Sequence, residues 1–240
     1  MEDFIIIIPA RLKSQRLPNK LLIKIKGKEV LKRVWSRCAL AAKKKYIYVA
    51  SGDKKILDFC KKEGIQTILT TNNCITGTDR IYECAKKIKA KFYINVQGDE
   101  IFVRPDSIKK VINYCKINSN FIINAYTKIN KETDFRSSSV PKVLLDNQNN
   151  LLFITRASSP TNKKLQFIKA FKQVCIYAYP RKLLLKLKKN KRLNIEKIED
   201  IEILRFLEMG MKVKMMHVMG SELSIDTGKD LLLANKLIKS

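Results

Sequence analysis

Histidine is nearly absent from this chain of 240 residues: His217 stands alone. A Ser-His-Asp hydrolase is argued against, since only one imidazole is on offer as its base and the sequence has no G-x-S-x-G string to seat a nucleophile. The six cysteines (Cys38, Cys60, Cys74, Cys84, Cys115 and Cys175) form no C-x-x-C pair. With a single histidine beside them, a zinc site lacks ligands, and the thiols read as buried and inert. No apolar run approaches the ~20 residues of a membrane span. The stretch Phe4–Ala10 is too short, and too acidic at its start, for a signal peptide. A cytoplasmic chain with no membrane insertion is expected. Acidic residues are also scarce, 22 against 49 Lys and Arg, for a formal net charge of +27. Such a balance fits a nucleic-acid binder, an anionic membrane surface or a solvated lysine-rich exterior. The lysines are scattered in short pairs and triplets without an RNA-binding aromatic string or a helix-turn-helix signature. The solvated exterior is therefore favoured, with no nucleic acid as partner.

What the chain does have begins at its first strand. Phe4–Ile8 is an unbroken, β-branched run, as in a parallel strand covered on both faces, and Pro9 ends it. Arg11, Ser14, Arg16 and Lys20 follow in a loop that contains no glycine and is not a P-loop. A cationic loop at the carboxyl end of a parallel strand is where open α/β sheets bind ligands. Forked guanidinium groups and a compact ammonium suit a polyphosphate, so side chains rather than backbone would hold it. The same charges also read as a solvated basic loop. The spacing R-x-x-S-x-R-L-P-x-K from Arg11 to Lys20 resembles the nucleotide-binding loop of sugar nucleotidyltransferases, most closely the 3-deoxy-manno-octulosonate (Kdo) cytidylyltransferases. That resemblance implies nucleotide contacts from Pro9, Ala10, Arg11, Ser14, Arg16 and Lys20, with Lys20 also catalytic.

Downstream, strands and helices alternate. Val30–Ala42 has helical apolar spacing, 46–50 and 67–69 read as strands, and Asp53 is placed to cap a helix that Gly64 ends. This alternation predicts an α/β fold: a Rossmann-like, mostly parallel sheet with helices on both faces. The resemblance narrows it to the nucleotide-diphospho-sugar transferase (GT-A-like) fold. It implies one domain over residues 1–240, with a small β arm in the second half and residues 155–180 serving the dimer contact and the sugar site. The hairpin signal Lys142–Asp146, Asn147–Asn150, Leu151–Ile154 falls in that half. Asn130–Ser139 reads as an exposed connection, and Asn194–Met209 as one helix.

Six further strings carry the resemblance. Thr76-Gly77-Thr78-Asp79-Arg80 is similar to a family loop at the nucleotide, implying contacts from Thr76 and Gly77, though it reads equally as a glycine turn before a helix. Asn95-Val96-Gln97-Gly98-Asp99-Glu100 ends a strand in carboxylates, the natural ligands for Mg²⁺ beside a triphosphate. By resemblance Asp99 binds the metal and Gln97 lies near the nucleotide or sugar. Thr155-Arg156-Ala157-Ser158-Ser159-Pro160 supplies Arg156 as a sugar-site or phosphate-site cation. The strand around Val174–Tyr179 keeps Tyr177 but has Gln173 and Cys175 where the family has histidine and glycine; the resemblance implies sugar contacts from Gln173 and Tyr177, although Tyr177 also reads as a half-buried strand aromatic. Ile201-Glu202-Ile203-Leu204-Arg205 carries Glu202 and Arg205 to the sugar site, with Ile203 replacing a pocket glutamine. Those two also read as a surface i, i+3 ion pair. Ser224–Asp230 resembles a V-D-T-P-E-D-L string and gives Asp226 as the second metal carboxylate, or alternatively a helix cap.

These residues together imply a Mg²⁺-dependent, homodimeric enzyme that transfers CMP from CTP to the anomeric hydroxyl of Kdo or a close relative, for surface polysaccharide synthesis. An 8-amino-Kdo or nonulosonate substrate is the near alternative, and a non-catalytic basic module the distant one. Asp99 and Asp226 must then meet across a cleft walled by Arg11, Arg16 and Lys20.

Overall fold

A computed structural model describes residues 1–14, 16–188, 191–220 and 223–238. The chain runs β1 (Glu2–Pro9), a two-strand ribbon β2 (Lys24–Ile25) and β3 (Lys28–Glu29), α1 (Val30–Ala41), β4 (Ile47–Ser51), α2 (Lys54–Lys62), β5 (Thr67–Leu69) and α3 (Gly77–Lys87). It continues through β6 (Ala90–Val96), α4 (Pro105–Ile117), β7 (Ile122–Lys128), α5 (Glu132–Arg136), β8 (Lys142–Leu145), β9 (Leu151–Thr155) and β10 (Phe171–Pro180). The last elements are α6 (Arg181–Leu184), α7 (Asn194–Glu199), α8 (Leu204–Glu208), β11 (Val213–His217) and α9 (Gly228–Leu237).

The main sheet has the order β11-β7-β10-β6-β1-β4-β5, with the β8–β9 hairpin attached to β10. All neighbours on the main path are parallel except β10, which runs antiparallel to both β6 and β7. β1 shows why the sheet is covered twice. Ile6 and Ile8 enter one core with α1, α2 and α4, whereas Ile5 and Ile7 enter the other with α3 and α8. All four are 0–1% exposed, and each such burial contributes about 1.5–3 kcal/mol.

Several local expectations are corrected. Asp53 occupies the N-cap position of α2 but makes no side-chain cap bond; its carboxylate instead accepts the Leu12 amide at 2.9 Å. A contact to the distant loop has displaced the local one. The 130–139 connection contains α5, because Phe135 is apolar enough to be drawn into a small third cluster with Ile129 and Ala170. Residues 194–209 are two short helices rather than one, broken at Asp200, whose φ is 52°. The hairpin forms where expected, from Lys142, and Lys142 is fully buried with its ammonium donating to the carbonyls of Ser137, Val140 and Arg156. Part of the basic run from Lys186 to Arg192 lies outside the described residues.

Candidate active site

The carboxyl ends of β1 and β6 lie side by side, so whatever follows each strand faces the same opening. Gly98 makes this approach close. A Cβ there would sit 3.0 Å from the Pro9 carbonyl oxygen and 3.3 Å from the Leu21 methyls. The loop after Pro9 is tied at several points. Ala10 is buried with its amide on the Ala50 carbonyl, Asn19 closes onto the Leu12 carbonyl at 3.1 Å, and Arg11 donates to the Ile75 carbonyl at 3.2 Å. Ser14 is half-buried on the same loop. The ties deliver Lys20 to the end of β6.

There Lys20 Nζ lies 2.5 Å from Asp99 Oδ2 and 3.0 Å from Asp226 Oδ1, and it donates to the Ile225 carbonyl at 3.0 Å. Arg16 Nη2 reaches the same Asp226 oxygen at 3.0 Å. The Ile225 amide bonds the Asp99 carbonyl at 3.1 Å, which fixes the two acidic segments against each other. Burial works against the Lys20 charge, but Asp99 and then Asp226 outweigh it, and its pKa rises above the usual lysine value. The Asp226 cap alternative is also resolved: Thr227 caps α9, and its partner in a capping box is Asp230. Asp226 is left to face the cations.

A second constellation adjoins the first through Gln97. Thr76 caps α3, and the Glu202 carboxylate accepts the amides of Gly77 at 3.0 Å and Thr78 at 2.6 Å. An acid at a helix N-terminus meets unpaired N–H groups and the favourable end of the helix dipole. Burial nevertheless prevails over those bonds and raises the Glu202 pKa. A Cβ on Gly77 would lie 3.3 Å from both Gln97 Nε2 and Glu202 Oε1, so glycine leaves room for these two side chains to meet.

The other residues expected at the sugar site hold partners within the protein. Arg205 is 1% exposed; its guanidinium binds both Glu196 oxygens at 2.7 Å and Asp79 at 2.6 Å. It thus braces the turn that opens α3, and in place of the alternative surface pair with Glu202 it forms a buried pair with Glu196. Ile203 is fully buried in the core and lines nothing. Arg156 donates to the carbonyls of Ser138, Glu199 and Asp200, tying the hairpin to α7. Gln173 donates to Asn124 at 2.8 Å. Tyr177 is buried and stacked on Tyr179, with ring centroids 5.9 Å apart. Cys175 is the half-exposed cysteine, and its carbonyl accepts the Gln97 amide at 3.4 Å. Burial, with Glu100 and Asp99 nearby, pushes its thiol pKa well up. Sequence reasoning missed Asp79 and Glu196 as supports. The Thr76-x-x-Asp79 capping pattern was a visible signal for the first; nothing local marks the second.

A family model described as Cytidylyltransferase matches residues 5–213. The chain belongs to the cytidylyltransferase family. It is 35% identical over 246 residues, covering 100% of both chains, to the 3-deoxy-manno-octulosonate cytidylyltransferase of Elusimicrobium minutum. It is 32% identical, over 94% of each chain, to the 8-amino-3,8-dideoxy-manno-octulosonate cytidylyltransferase of Shewanella pealeana. A solved CMP:2-keto-3-deoxy-manno-octonic acid synthetase complexed with CTP superposes with a TM-score of 0.91 at 28% identity, over 98% of each chain. Within this cytidylyltransferase, the loop after β1 brings Arg16 and Lys20 to Asp99 after β6 and to Asp226 before α9.

Proposed function

We propose that the enzyme transfers CMP from CTP to the anomeric hydroxyl of 3-deoxy-manno-octulosonate, releasing pyrophosphate. The observation that carries this reading is the convergence of Lys20, Arg16, Asp99 and Asp226 at the ends of β1 and β6. The relatives' names supply the nucleotide and the sugar acid.

The donors around Lys20 Nζ are all hard oxygens, two carboxylates and the Ile225 carbonyl, and they already surround a positive charge. That set fits Mg²⁺, which prefers such ligands and completes its shell with water and phosphate. Asp99 and Asp226 would hold it; among the described residues no cluster of three or more His, Cys, Asp or Glu could do so. A divalent cation bound there supplies charge neutralisation to the triphosphate. Arg11, Arg16 and Lys20 carry positive charge toward the leaving pyrophosphate, and Thr76, Gly77 and Gln97 border the nucleotide. In the reaction a bond forms between the sugar oxygen and the α-phosphorus while the α–β bridge breaks. Transfer of this kind depends on positioning and charge compensation, so no protein nucleophile is required.

The 8-amino sugar acid is the second reading. It is favoured by the Shewanella relatives and by Gln173 and Cys175, which differ from the Kdo pattern beside Tyr177. A pyrophosphate-release assay crossing four nucleoside triphosphates with Kdo, its 8-amino analogue, a nonulosonate and a neutral sugar 1-phosphate decides between them. Turnover with CTP and Kdo is expected. Turnover only with a neutral sugar 1-phosphate overturns the acidic-sugar reading.

A further inference from the structure

The buried ionic cluster behind the second constellation has more structure than stability requires. Glu196 is fully buried, Asp79 and Arg205 nearly so, and the three bear one positive and two negative charges. The Arg205 fork is used from both sides. Nε and Nη2 bind Glu196, Nη1 binds Asp79, and Nη2 also donates to the Thr76 hydroxyl at 3.2 Å. Asp79 in turn accepts the Thr76 amide at 3.0 Å and hydroxyl at 2.8 Å. The chain of contacts therefore runs from α7 through α8 to the turn that opens α3. Apolar residues of similar volume would hold such a region at least as stably, because desolvating three charges costs about as much as their attraction returns. What apolar packing cannot supply is direction: the guanidinium is rigid, and its bonds fix both angle and distance.

The backbone is bent to make this possible. In a continuous helix, residues nine apart are separated by about 13.5 Å along the axis. The left-handed residue Asp200, at φ 52°, breaks the segment, and Glu196 then meets Arg205 at 2.7 Å across the break. Glu196 is itself anchored, its amide donating to Glu208 Oε1 at 2.8 Å. The same break places Glu202 on the amides of Gly77 and Thr78.

We infer that Glu196 is a positioning residue: through Arg205 it sets the Thr76–Thr78 turn, and with it the wall of the cleft that receives the nucleotide. The Glu196 carboxylate also accepts the Leu193 amide at 3.3 Å and lies 3.8 Å from Arg192, and its link to the Thr76–Thr78 turn runs through the Arg205 fork. The inference rests on the assignment of this turn to the nucleotide in the proposed function.

The test is Glu196→Gln, which keeps the shape and removes the charge, with Glu196→Asp as the variant that restores charge at a shorter reach. Steady-state kinetics and amide hydrogen exchange are measured well below the unfolding temperature. For Glu196→Gln we expect the KM for CTP to rise about tenfold while kcat stays within about threefold, a loss of binding rather than chemistry. Exchange should quicken over residues 71–80 but not over 20–30, and Glu196→Asp should recover part of both effects. A purely structural role predicts a lower melting temperature with KM and the exchange of 71–80 unchanged, and that result overturns the inference. Faster exchange at 71–80 with a raised KM for the sugar acid in place of CTP keeps Glu196 as the positioning residue and rejects the nucleotide assignment of the turn. Should Glu196→Gln not fold, the same two readouts on Glu196→Asp decide in the same way.

Discussion

The charged group at the cleft around Lys20 and the ionic cluster behind it around Arg205 are built alike and buried differently. Around Lys20 its side chain is 15% exposed, that of Asp99 22% and that of Asp226 33%, and Arg16 stands more than half in solvent. Around Arg205 neither Asp79 nor Glu196 exceeds 1%. Opposite charges in reach of water exchange partners at small cost, since solvent compensates each broken bond. Opposite charges out of reach of water cannot separate without stranding a buried ion. The first arrangement suits groups that exchange partners when a charged ligand arrives. The second suits groups that must never move.

Removing Arg205 should break this contrast most severely. Arg205→Met takes away the guanidinium that Glu196 and Asp79 both face in the interior, and a stability loss of about 3–5 kcal/mol is expected in denaturant unfolding. A loss under about 1 kcal/mol would mean that the cluster is wetter than its burial indicates.

Asp99→Asn tests the open constellation. Its expected effect is on activity, a fall in kcat on the order of 10²–10³-fold, with the unfolding midpoint close to wild type. Activity near wild type would remove Asp99 from the chemistry and leave Lys20 without its purpose there.

Cys175 lies between the two regions and reports on both. Its raised thiol pKa keeps the thiolate fraction low at neutral pH, so iodoacetamide at pH 8 should modify it at least ~10-fold more slowly than a free cysteine, despite partial exposure. Asp99→Asn removes one of the nearby negative charges and should hasten the reaction, which intact-mass measurement can follow.

The smallest effect concerns Glu202. Its folded-state pKa lies above the ordinary glutamate value because burial disfavours the charge. Between those two values the folded chain keeps a proton that the unfolded chain releases. This contribution to stability is therefore present below the unfolded pKa and is lost as pH rises through the folded one. Glu202→Gln should flatten the stability–pH curve in that window alone. An unchanged slope would show that Glu202 ionises as freely as an exposed acid and that the two regions differ less than their burial implies.

Much of the fold was legible because its signals are local. Ile5–Ile8 shows its double burial in composition, and α1 and α4 show theirs in helical spacing. The helix expected over 194–209 failed because a single left-handed residue, Asp200, is not forbidden by any pattern of apolar residues. Within the site, the motif residues Lys20, Asp99 and Asp226 could be named from their strings, whereas the fates of Arg156, Gln173 and Arg205 could not.

By itself, then, the sequence determined the order of strands and helices, the cationic loop after β1 and the two aspartates at its far side, because each is written in neighbouring residues. Only the tertiary structure decided which charge answers which. Lys20 meets Asp226 across 206 positions, Arg205 chooses Glu196 over Glu202, and Asp53 leaves its helix for Leu12. Pairing of this kind depends on approach distance and on how much water is excluded, and both are set only when the whole sheet has closed.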